Sequence, residues 1–317
     1  MGTVRRIHSG AGARKAPTVA AAVAGYLSTL DAPETAGTRR VYASTLRQLV
    51  AHLGPDRSLG ILEDQVVVDE MVAWFTGRWG PRVPATFNRN LDAVRSAIGY
   101  WHAQDWLTGD PTRALRRRGL APDRTRALSR GDVEQLLTRD RLALRERTLW
   151  RMLYETAARA SEVLALDVPD LDLRNRRAKV RRKGSAVDVI VWQTGTARLL
   201  PRLLVGRSSG PVFLTDRRAR LPLAPVDVDQ TTGRARLSYR RAAELFEDAT
   251  TDAVDGPWAL HQLRHSALTH AAEDGANTST LLAYSGHTSV ASLARYARVS
   301  PDALARWQQH RDPATRR

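Results

Sequence analysis

A histidine and an arginine stand three residues apart in the run His261-Gln-Leu-Arg264-His265, where apolar residues recur at helical spacing. Side chains three apart share one face of a helix, so His261 and Arg264 project together. An arginine fork and a histidine N–H can grip a phosphate group, although such pairs are usually ordinary charged surface. The spacing of His261 and His265 also suits two metal ligands. Because Arg264 places a fixed cation on that face, we expect no metal.

Two further reactive groups follow near the end of the chain. His287 comes directly after Gly286, and Tyr296 follows nine residues later. A single tyrosine at the end of an apolar helix is normally a core residue with a hydrated hydroxyl. Taken separately, His287 and Tyr296 therefore indicate no particular chemistry.

Five short motifs, taken together and in order, resemble those of the tyrosine recombinase (phage integrase) family, which includes the Xer recombinases. They are Thr156-Ala-Ala-Arg159-Ala-Ser161-Glu162, Arg182-Lys183-Gly184, His261-Gln-Leu-Arg264-His265, Gly286-His287 and Tyr296. Each motif is weak alone, but five in this order are specific, and they cover residues 127–300 in detail. Two departures remove no reactive group: Ala157-Ala158 stands where Gly-Leu is common, and Ser285 stands where Leu is common.

The resemblance implies that six side chains act on a DNA phosphodiester: Arg159, Lys183, His261, Arg264, His287 and Tyr296. Phosphoryl transfer depends on in-line positioning and on stabilising charge on the non-bridging oxygens, which two arginines and a histidine can do. The ordinary pKa of a phenol is about 10, so the nucleophile needs that positive field or a base, for which His261 is a candidate. Glu162 could orient Arg159 or His265 from behind. No cofactor is required.

Lysine occurs only three times in the chain, against 46 arginines. Arginine cannot release a proton at working pH, whereas a lysine with a tuned pKa can. A general acid at the predicted hairpin turn must therefore be Lys183, which would protonate the leaving hydroxyl. Chance is the alternative, because Lys179 stands nearby with no assigned role.

The surplus of positive charge points to a polyanionic partner. The 317 residues carry 49 basic and 33 acidic side chains, and the hydrophobic fraction of 43% is enough for a sizeable core. Seven arginines lie within residues 111–130, and we expect DNA-backbone contacts there and beside Lys183, although an ordinary solvated linker is the alternative. The expected contacts are Arg113, Arg116, Arg117, Arg118, Arg124, Arg126, Arg181 and Arg182.

The absence of cysteine excludes a thiol nucleophile.

The pattern of apolar residues predicts the elements that must position these groups. The chain is expected to be mainly α, with a helical core-DNA-binding domain and a mixed α+β tyrosine-recombinase catalytic domain that holds a small antiparallel β-sheet. Helical spacing runs through residues 142–166, and alternation at Val187, Val189 and Val191 predicts a strand. The expected segments are a disordered basic N-terminus at 1–16, the helical domain at 17–110, a basic linker at 111–126, and the catalytic domain at 127–317 with a C-terminal docking helix at 301–310.

The leading prediction is a site-specific DNA recombinase that integrates, excises or resolves DNA through a 3′-phosphotyrosine intermediate. The resemblance further implies double-stranded DNA with specific sites as the partner, a tetramer on that DNA, and a Holliday junction. Two alternatives stay open: a type IB topoisomerase that does not exchange strands, and a DNA-binding regulator with an idle site.

Two other patterns are weaker. The run from Gly206 to Gly210 matches the G-x-S-x-G pattern of serine hydrolases, with Ser208 as nucleophile, but lacks the strand before it that the motif needs. The longest nearly apolar run, residues 16–27, is too short to span a membrane, which takes about 20 residues. We therefore expect a cytoplasmic protein.

Overall fold

The computed structural model describes residues 16–32, 35–119, 127–182, 187–220, 222–287, 289–293, 304–305 and 308–309. The chain divides into two compact units, Met1–Pro122 and Asp123–Arg317. Within the described ranges, the fold is mostly helical with small antiparallel sheets, as predicted. No helix in those ranges has the length and apolar character needed to cross a membrane.

The first unit is helical. Its helices are α1 (Val19–Ser28), α2 (Ala36–Leu53), α3 (Gln65–Trp79) and α4 (Pro84–Ala103). Residues at their N-termini favour the start of three of these helices. The Thr18 and Asp64 side chains accept hydrogen bonds from backbone N–H groups in the first turns of α1 and α3, and Pro84 is the first residue of α4. Trp101 is fully buried and donates its indole N–H to the Ala22 carbonyl at 3.1 Å. This bond joins α4 to α1 through the core.

The segment after α4 belongs to the first unit, although residues 111–126 were predicted to be a linker. Leu115 is buried in the core of that unit. The buried Asn88 side chain donates to the Arg118 carbonyl and accepts from the Arg118 N–H, both at 2.8 Å. Arg95 donates to the Leu115 carbonyl at 2.6 Å. Residues 111–118 are thus fastened to α4 by backbone contacts that a charge pattern does not reveal.

The second unit combines helices with two small sheets. Its helices are α5 (Arg130–Thr138), α6 (Leu144–Thr156), α7 (Ala160–Leu164), α8 (Thr194–Leu204), α9 (Tyr239–Ala249), α10 (His261–Glu273) and α11 (Thr278–Ser285). The strands β1 (Leu171–Asp172), β2 (Arg177–Arg181) and β3 (Val187–Val191) form one antiparallel sheet, and β4 (Leu214–Arg218) pairs with β5 (Arg234–Arg236). The hydrophobic core lies between the first sheet and α6, α8 and α9.

Strands β2 and β3 form the predicted hairpin. Ala178 pairs with Ile190, and Val180 pairs with Asp188. The side chains of Ala178, Val180 and Ile190 are buried, whereas Val187 is exposed on the outer face. The two strands therefore lead from the core toward residues 183–186, which lie outside the described part of the chain.

The predicted helix over residues 142–166 is two helices with a sharp break between them. Ala157 follows the end of α6 in the left-handed region, with φ of 48°. Arg159 then precedes α7 with extended backbone. An alanine gives no sign of such a break in the sequence, because glycine is the usual residue in this conformation.

Candidate functional site

Arg264 joins two elements at the start of α10. Its guanidinium donates to the Ala157 carbonyl and, at 2.7 Å, to the Ser285 carbonyl. Its Nη2 also lies 3.3 Å from Nε2 of His287. The break at Ala157 turns that carbonyl toward α10 rather than into the helix ladder. Arg264 is therefore fixed by backbone groups from α6 and α11 while it stays partly exposed.

Arg159 is oriented by the carboxylate of Glu162, three residues later in the chain. Glu162 accepts from the Arg159 guanidinium at 2.7 Å and from the Arg159 backbone N–H at 3.0 Å. The Glu162 side chain is only 5% exposed, whereas the Arg159 side chain is 41% exposed. The carboxylate therefore holds Arg159 from the buried side and leaves the other edge of the guanidinium toward solvent.

His287 is positioned by the turn that ends α11. Gly286 adopts φ of 61°, a left-handed conformation that glycine takes at no steric cost. The His287 N–H donates to the Ser285 hydroxyl at 3.2 Å. Ser285, noted above as a departure from the family pattern, thus supplies a side-chain oxygen to this turn.

Arg159, His261 and Arg264 line one cavity of about 160 Å³. Arg159 comes from the start of α7, and His261 and Arg264 come from the first two turns of α10. Residues that the sequence predicted to hold a phosphate, about 100 positions apart along the chain, are therefore neighbours in space. His265 follows on α10 and is half-buried.

The same cavity is lined by two hydroxyl side chains that the sequence did not single out as reactive. They are Ser161 of α7 and Tyr239, the first residue of α9. Ser161 lies within a recognised motif, but Tyr239 lies in none. Its only local signal is the Ser238 cap that begins α9.

Several predicted site residues lie outside the described part of the chain: Lys183, Tyr296, Arg124 and Arg126. The disordered segment predicted at 1–16 is outside it as well, except for residue 16, and so is most of the docking helix predicted at 301–310. Their roles stay predictions.

The predicted DNA-contacting arginines differ in their surroundings. Arg113, Arg116 and Arg181 are exposed. Arg117 is exposed too, but it forms an ion pair with Asp92. Arg118 lies 4.0 Å above the Phe87 ring and donates to the Gly80 carbonyl at 2.6 Å. Of these five, Arg118 is held most firmly by the protein itself.

Arg182 is also held within the protein. Its side chain is 8% exposed, forms an ion pair with Asp188 at 3.0 Å, and lies against Gly286. This contact joins the β2–β3 hairpin to the turn that carries His287. Arg182 is therefore placed to brace the hairpin that contains Lys183, whereas the sequence predicted a DNA contact for it.

Two tyrosines of the second unit are poorly suited to be a nucleophile. Burial raises the pKa of Tyr284 far above its ordinary value, and its hydroxyl donates to the Glu155 carbonyl at 3.0 Å. Burial also raises the pKa of Tyr154, whose hydroxyl lies 2.8 Å from Nδ1 of His270. A phenolate is disfavoured at both positions, so Tyr239 and Tyr296 are the remaining tyrosines of this unit.

Residues 126–302, more than half of the chain, match the phage integrase family. The chain belongs to that family. The tyrosine recombinase XerC of Mycobacterium bovis (strain BCG / Pasteur 1173P2) is 31% identical to it over 284 residues, covering 83% of this chain and 88% of that protein. The tyrosine recombinase XerD of Caulobacter vibrioides is 29% identical over 245 residues, covering 74% and 77%. This family member is a tyrosine-type site-specific recombinase, as the five motifs predicted.

Solved structures share the fold. The Tn1549 transposon integrase, in complex with a circular intermediate DNA, is 17% identical, with 94% of this chain and 100% of that chain covered and a TM-score of 0.64. A lambda integrase dimer bound to a COC′ core site is 16% identical, with 88% and 77% covered and a TM-score of 0.64. These family members support the predicted architecture. The Ser208 alternative loses its basis, because α8 rather than a strand precedes that loop.

Proposed function

We propose that this recombinase cuts and rejoins double-stranded DNA through Tyr296, at a phosphate held by Arg159, His261, Arg264 and His287. The observation that carries the proposal is the cavity shared by Arg159, His261 and Arg264. His287 adjoins it through its contact with Arg264. A phosphodiester bears one negative charge on two non-bridging oxygens, and this group of donors complements that charge.

The two arginines have complementary positions around such a phosphate. Arg159 is held by Glu162 through one edge, and Arg264 by two backbone carbonyls. A guanidinium carries five N–H donors in a planar fork, a geometry that matches the oxygens of a phosphate. Because both side chains are fixed beforehand, little reorganisation is needed when charge builds up on the oxygens in the transition state.

The proposed reaction replaces the bond from phosphorus to the 5′-oxygen with a bond from phosphorus to the Tyr296 oxygen. One proton is transferred at each of these two oxygens. The Tyr296 oxygen attacks phosphorus as its proton passes to a base, for which His261 is the candidate. The bond from phosphorus to the 5′-oxygen breaks, and Lys183 gives a proton to that oxygen. The products are a 3′-phosphotyrosine and a free 5′-hydroxyl.

The covalent bond to tyrosine conserves the phosphodiester, so a second 5′-hydroxyl can reverse the step without cofactor or nucleotide. Attack by the hydroxyl of another duplex would exchange strands. Exchange requires two duplexes to be cut together, and we propose a tetramer on two DNA sites with a Holliday-junction intermediate. Integration, excision and resolution all consist of this reaction on differently placed sites.

Strand exchange between two duplexes tests the proposal against the topoisomerase alternative. A binding site is first selected from a pool of random duplexes, and two copies with different fluorescent labels are incubated with the protein. We expect recombinant duplexes that carry both labels, and none with the Tyr296→Phe variant. Relaxation of a supercoiled plasmid without recombinants would favour a topoisomerase, and binding without either product would favour a regulator.

A further inference from the structure

Tyr239 stands beside the proposed phosphate site without a role in it. It is the first residue of α9 and lines the same cavity as Arg159, His261 and Arg264. The residue is 51% exposed. Among the residues that the structure describes, its hydroxyl forms no hydrogen bond. A large, half-exposed aromatic residue beside two arginines is placed for contact with a ligand rather than for packing.

The helix register explains why Tyr239 turns toward the cavity. Ala242 and Phe246, three and seven residues later, form the buried face of α9. Residues at this spacing share one side of a helix, so Tyr239 continues that side at the point where the core ends. Arg240 and Arg241 lie on the outer side and form ion pairs with Glu244.

The chemistry of this position suits an anion. A phenol O–H donates a hydrogen bond to phosphate oxygen. At the start of α9 the Arg241 N–H donates to the Ser238 hydroxyl at 3.2 Å, whereas the N–H groups of the first turn before it have no partner within the helix. The positive end of the helix dipole adds to the same preference. The two non-bridging oxygens of the cut phosphate already have Arg159, Arg264 and His287 as proposed donors. The Tyr239 hydroxyl is therefore best matched to a neighbouring phosphate.

We infer that Tyr239 binds the DNA strand that is cut, by donating a hydrogen bond from its hydroxyl to a phosphate next to the scissile one. The inference rests on the proposed function for one thing, the position of the scissile phosphate. Its effect would be to fix the strand so that the scissile phosphate stays in line with the nucleophile. An enzyme that positions its substrate in this way lowers the barrier without touching the reacting atoms.

Equilibrium DNA binding tests this contact without the covalent step. Two proteins are compared for their affinity for the selected DNA site. One carries Tyr296→Phe alone, and the other carries Tyr296→Phe together with Tyr239→Phe. A parallel set of duplexes carries a neutral methylphosphonate at each phosphate of the cut strand in turn. Tyr100→Phe is the matched control, because it removes the same oxygen atom in the first unit, where Tyr100 packs against Tyr26 and Trp106.

We expect Tyr239→Phe to weaken binding to unmodified DNA about tenfold, as for loss of a hydrogen bond to a charged group. On the one duplex whose contacted phosphate is neutral, the two proteins should bind equally. Tyr100→Phe should change nothing. Equal affinities on unmodified DNA, or a tenfold difference on every modified duplex, would overturn the contact.

Covalent cleavage provides the second readout. In the chain that retains Tyr296, Tyr239→Phe should form the DNA adduct more slowly but to completion. An adduct that is lost in Tyr239→Phe and kept in Tyr296→Phe would make Tyr239 the nucleophile and overturn the inference. Because the binding experiment needs no cleavage, a failure of the proposed reaction would be distinguishable from a failure of this contact.

Discussion

Arg264 shows how one residue can serve both the fold and the proposed reaction. Its bonds to the carbonyls of Ala157 and Ser285 tie α6 and α11 to α10. The same guanidinium borders the cavity and approaches His287. A lysine could supply the charge but not this planar set of donors, because an ammonium is a compact point charge. The arginine at this position is therefore specified by geometry as well as by charge.

Lys183 gives the sharpest prediction at the residue scale. Lys183→Ala should slow adduct formation at least about 100-fold, because the leaving 5′-oxygen then departs without a proton. Replacing that bridging oxygen with sulfur should restore the rate, since a thiol has a pKa of about 8.5 and its thiolate leaves unprotonated. The measurement is single-turnover cleavage of the two substrates.

Two variants control the Lys183 experiment. Lys183→Arg should be as slow as Lys183→Ala, because arginine does not release its proton. Lys179→Ala, on the exposed face of β2, should cleave normally. Equal slowing of the Lys183→Ala variant on oxygen and sulfur substrates would contradict a general-acid role.

The residues of the site could be predicted to different extents. Motif order predicted Arg159, His261, Arg264 and His287, and the structure brings the first three to one cavity. Of the two partners predicted for Glu162, Arg159 and His265, the structure shows its bond to Arg159. Tyr239 was not found, because its position in the cavity depends on how α9 packs near α7 and α10, some 80 residues away from Arg159 in sequence. Arg182 carries the same charge as its neighbours, and only its contacts with Asp188 and Gly286 distinguish it.

At the scale of elements, the break between α6 and α7 determines where Arg159 lies. Ala157 is fully buried and takes a left-handed conformation that costs an L-residue about 1–2 kcal/mol. Ala158 is equally buried and has no such conformation. The two alanines therefore differ in backbone strain and not in burial.

Glycine substitutions measure this strain. Ala157→Gly loses a buried methyl group but relieves the left-handed backbone, so its free energy of unfolding should change by less than about 1 kcal/mol. Ala158→Gly has no strain to relieve and should lose about 1–2 kcal/mol. Urea unfolding of both variants checks the difference. Equal destabilisation at the two positions would contradict the left-handed break.

Asn88 fastens the segment after α4, and its removal should free that segment. Asn88→Ala breaks both hydrogen bonds with the Arg118 backbone in a buried place, which should cost about 2–3 kcal/mol. Hydrogen exchange should show loss of protection at the Arg118 amide. Asn175→Ala is the control. It removes one exposed side-chain bond to Asp172, at 2.8 Å, while the bond from the Asn175 backbone N–H to the same carboxylate persists, so it should cost less than about 1 kcal/mol. Unchanged exchange at Arg118 would show that Asn88 does not hold it.

Sequence patterning predicted most helices closely because their apolar stripes are regular. The helices over residues 38–53 and 67–79, for example, appear as α2 and α3 with ends shifted by two residues at most. Patterning missed the break at Ala157 and the attachment of residues 111–118. Both depend on hydrogen bonds between backbone and distant side chains, which leave no periodic trace.

At the scale of the whole molecule, the basic residues behind the formal charge of +16 fall into two groups, those paired with acidic residues of the protein and those exposed to solvent. Some arginines are paired within the protein: Arg145 with Glu146 and Asp216, and Arg236 with Asp167 and Asp227. Such pairs stabilise the fold and contribute less to the outward field. Exposed cations such as Arg113 and Arg116 remain for a polyanion.

The salt dependence of DNA binding separates these two groups. Arg113→Gln and Arg116→Gln should each lower the slope of log K against log salt concentration by about 0.9, the value for one lost phosphate contact. Arg118→Gln should leave the slope nearly unchanged and lower the stability of the first unit, because Arg118 contacts Gly80 and Phe87. Binding titrations at several salt concentrations give the slopes. An unchanged slope in the Arg113 and Arg116 variants would remove these residues from the DNA contact.

The central claim is that Tyr296 attacks a DNA phosphate held by the cluster around Arg264. Its most direct test is a duplex with a nick close to the cleavage position. After cleavage, the short fragment between the cleavage position and the nick diffuses away. The strand cannot then be rejoined, so the covalent intermediate accumulates. We expect a protein–DNA adduct with a free 5′-hydroxyl on the released strand, and peptide mapping should locate the DNA on Tyr296. Tyr296→Phe should bind the same duplex and form no adduct. An adduct on another residue, or no adduct on any selected site, would contradict the claim.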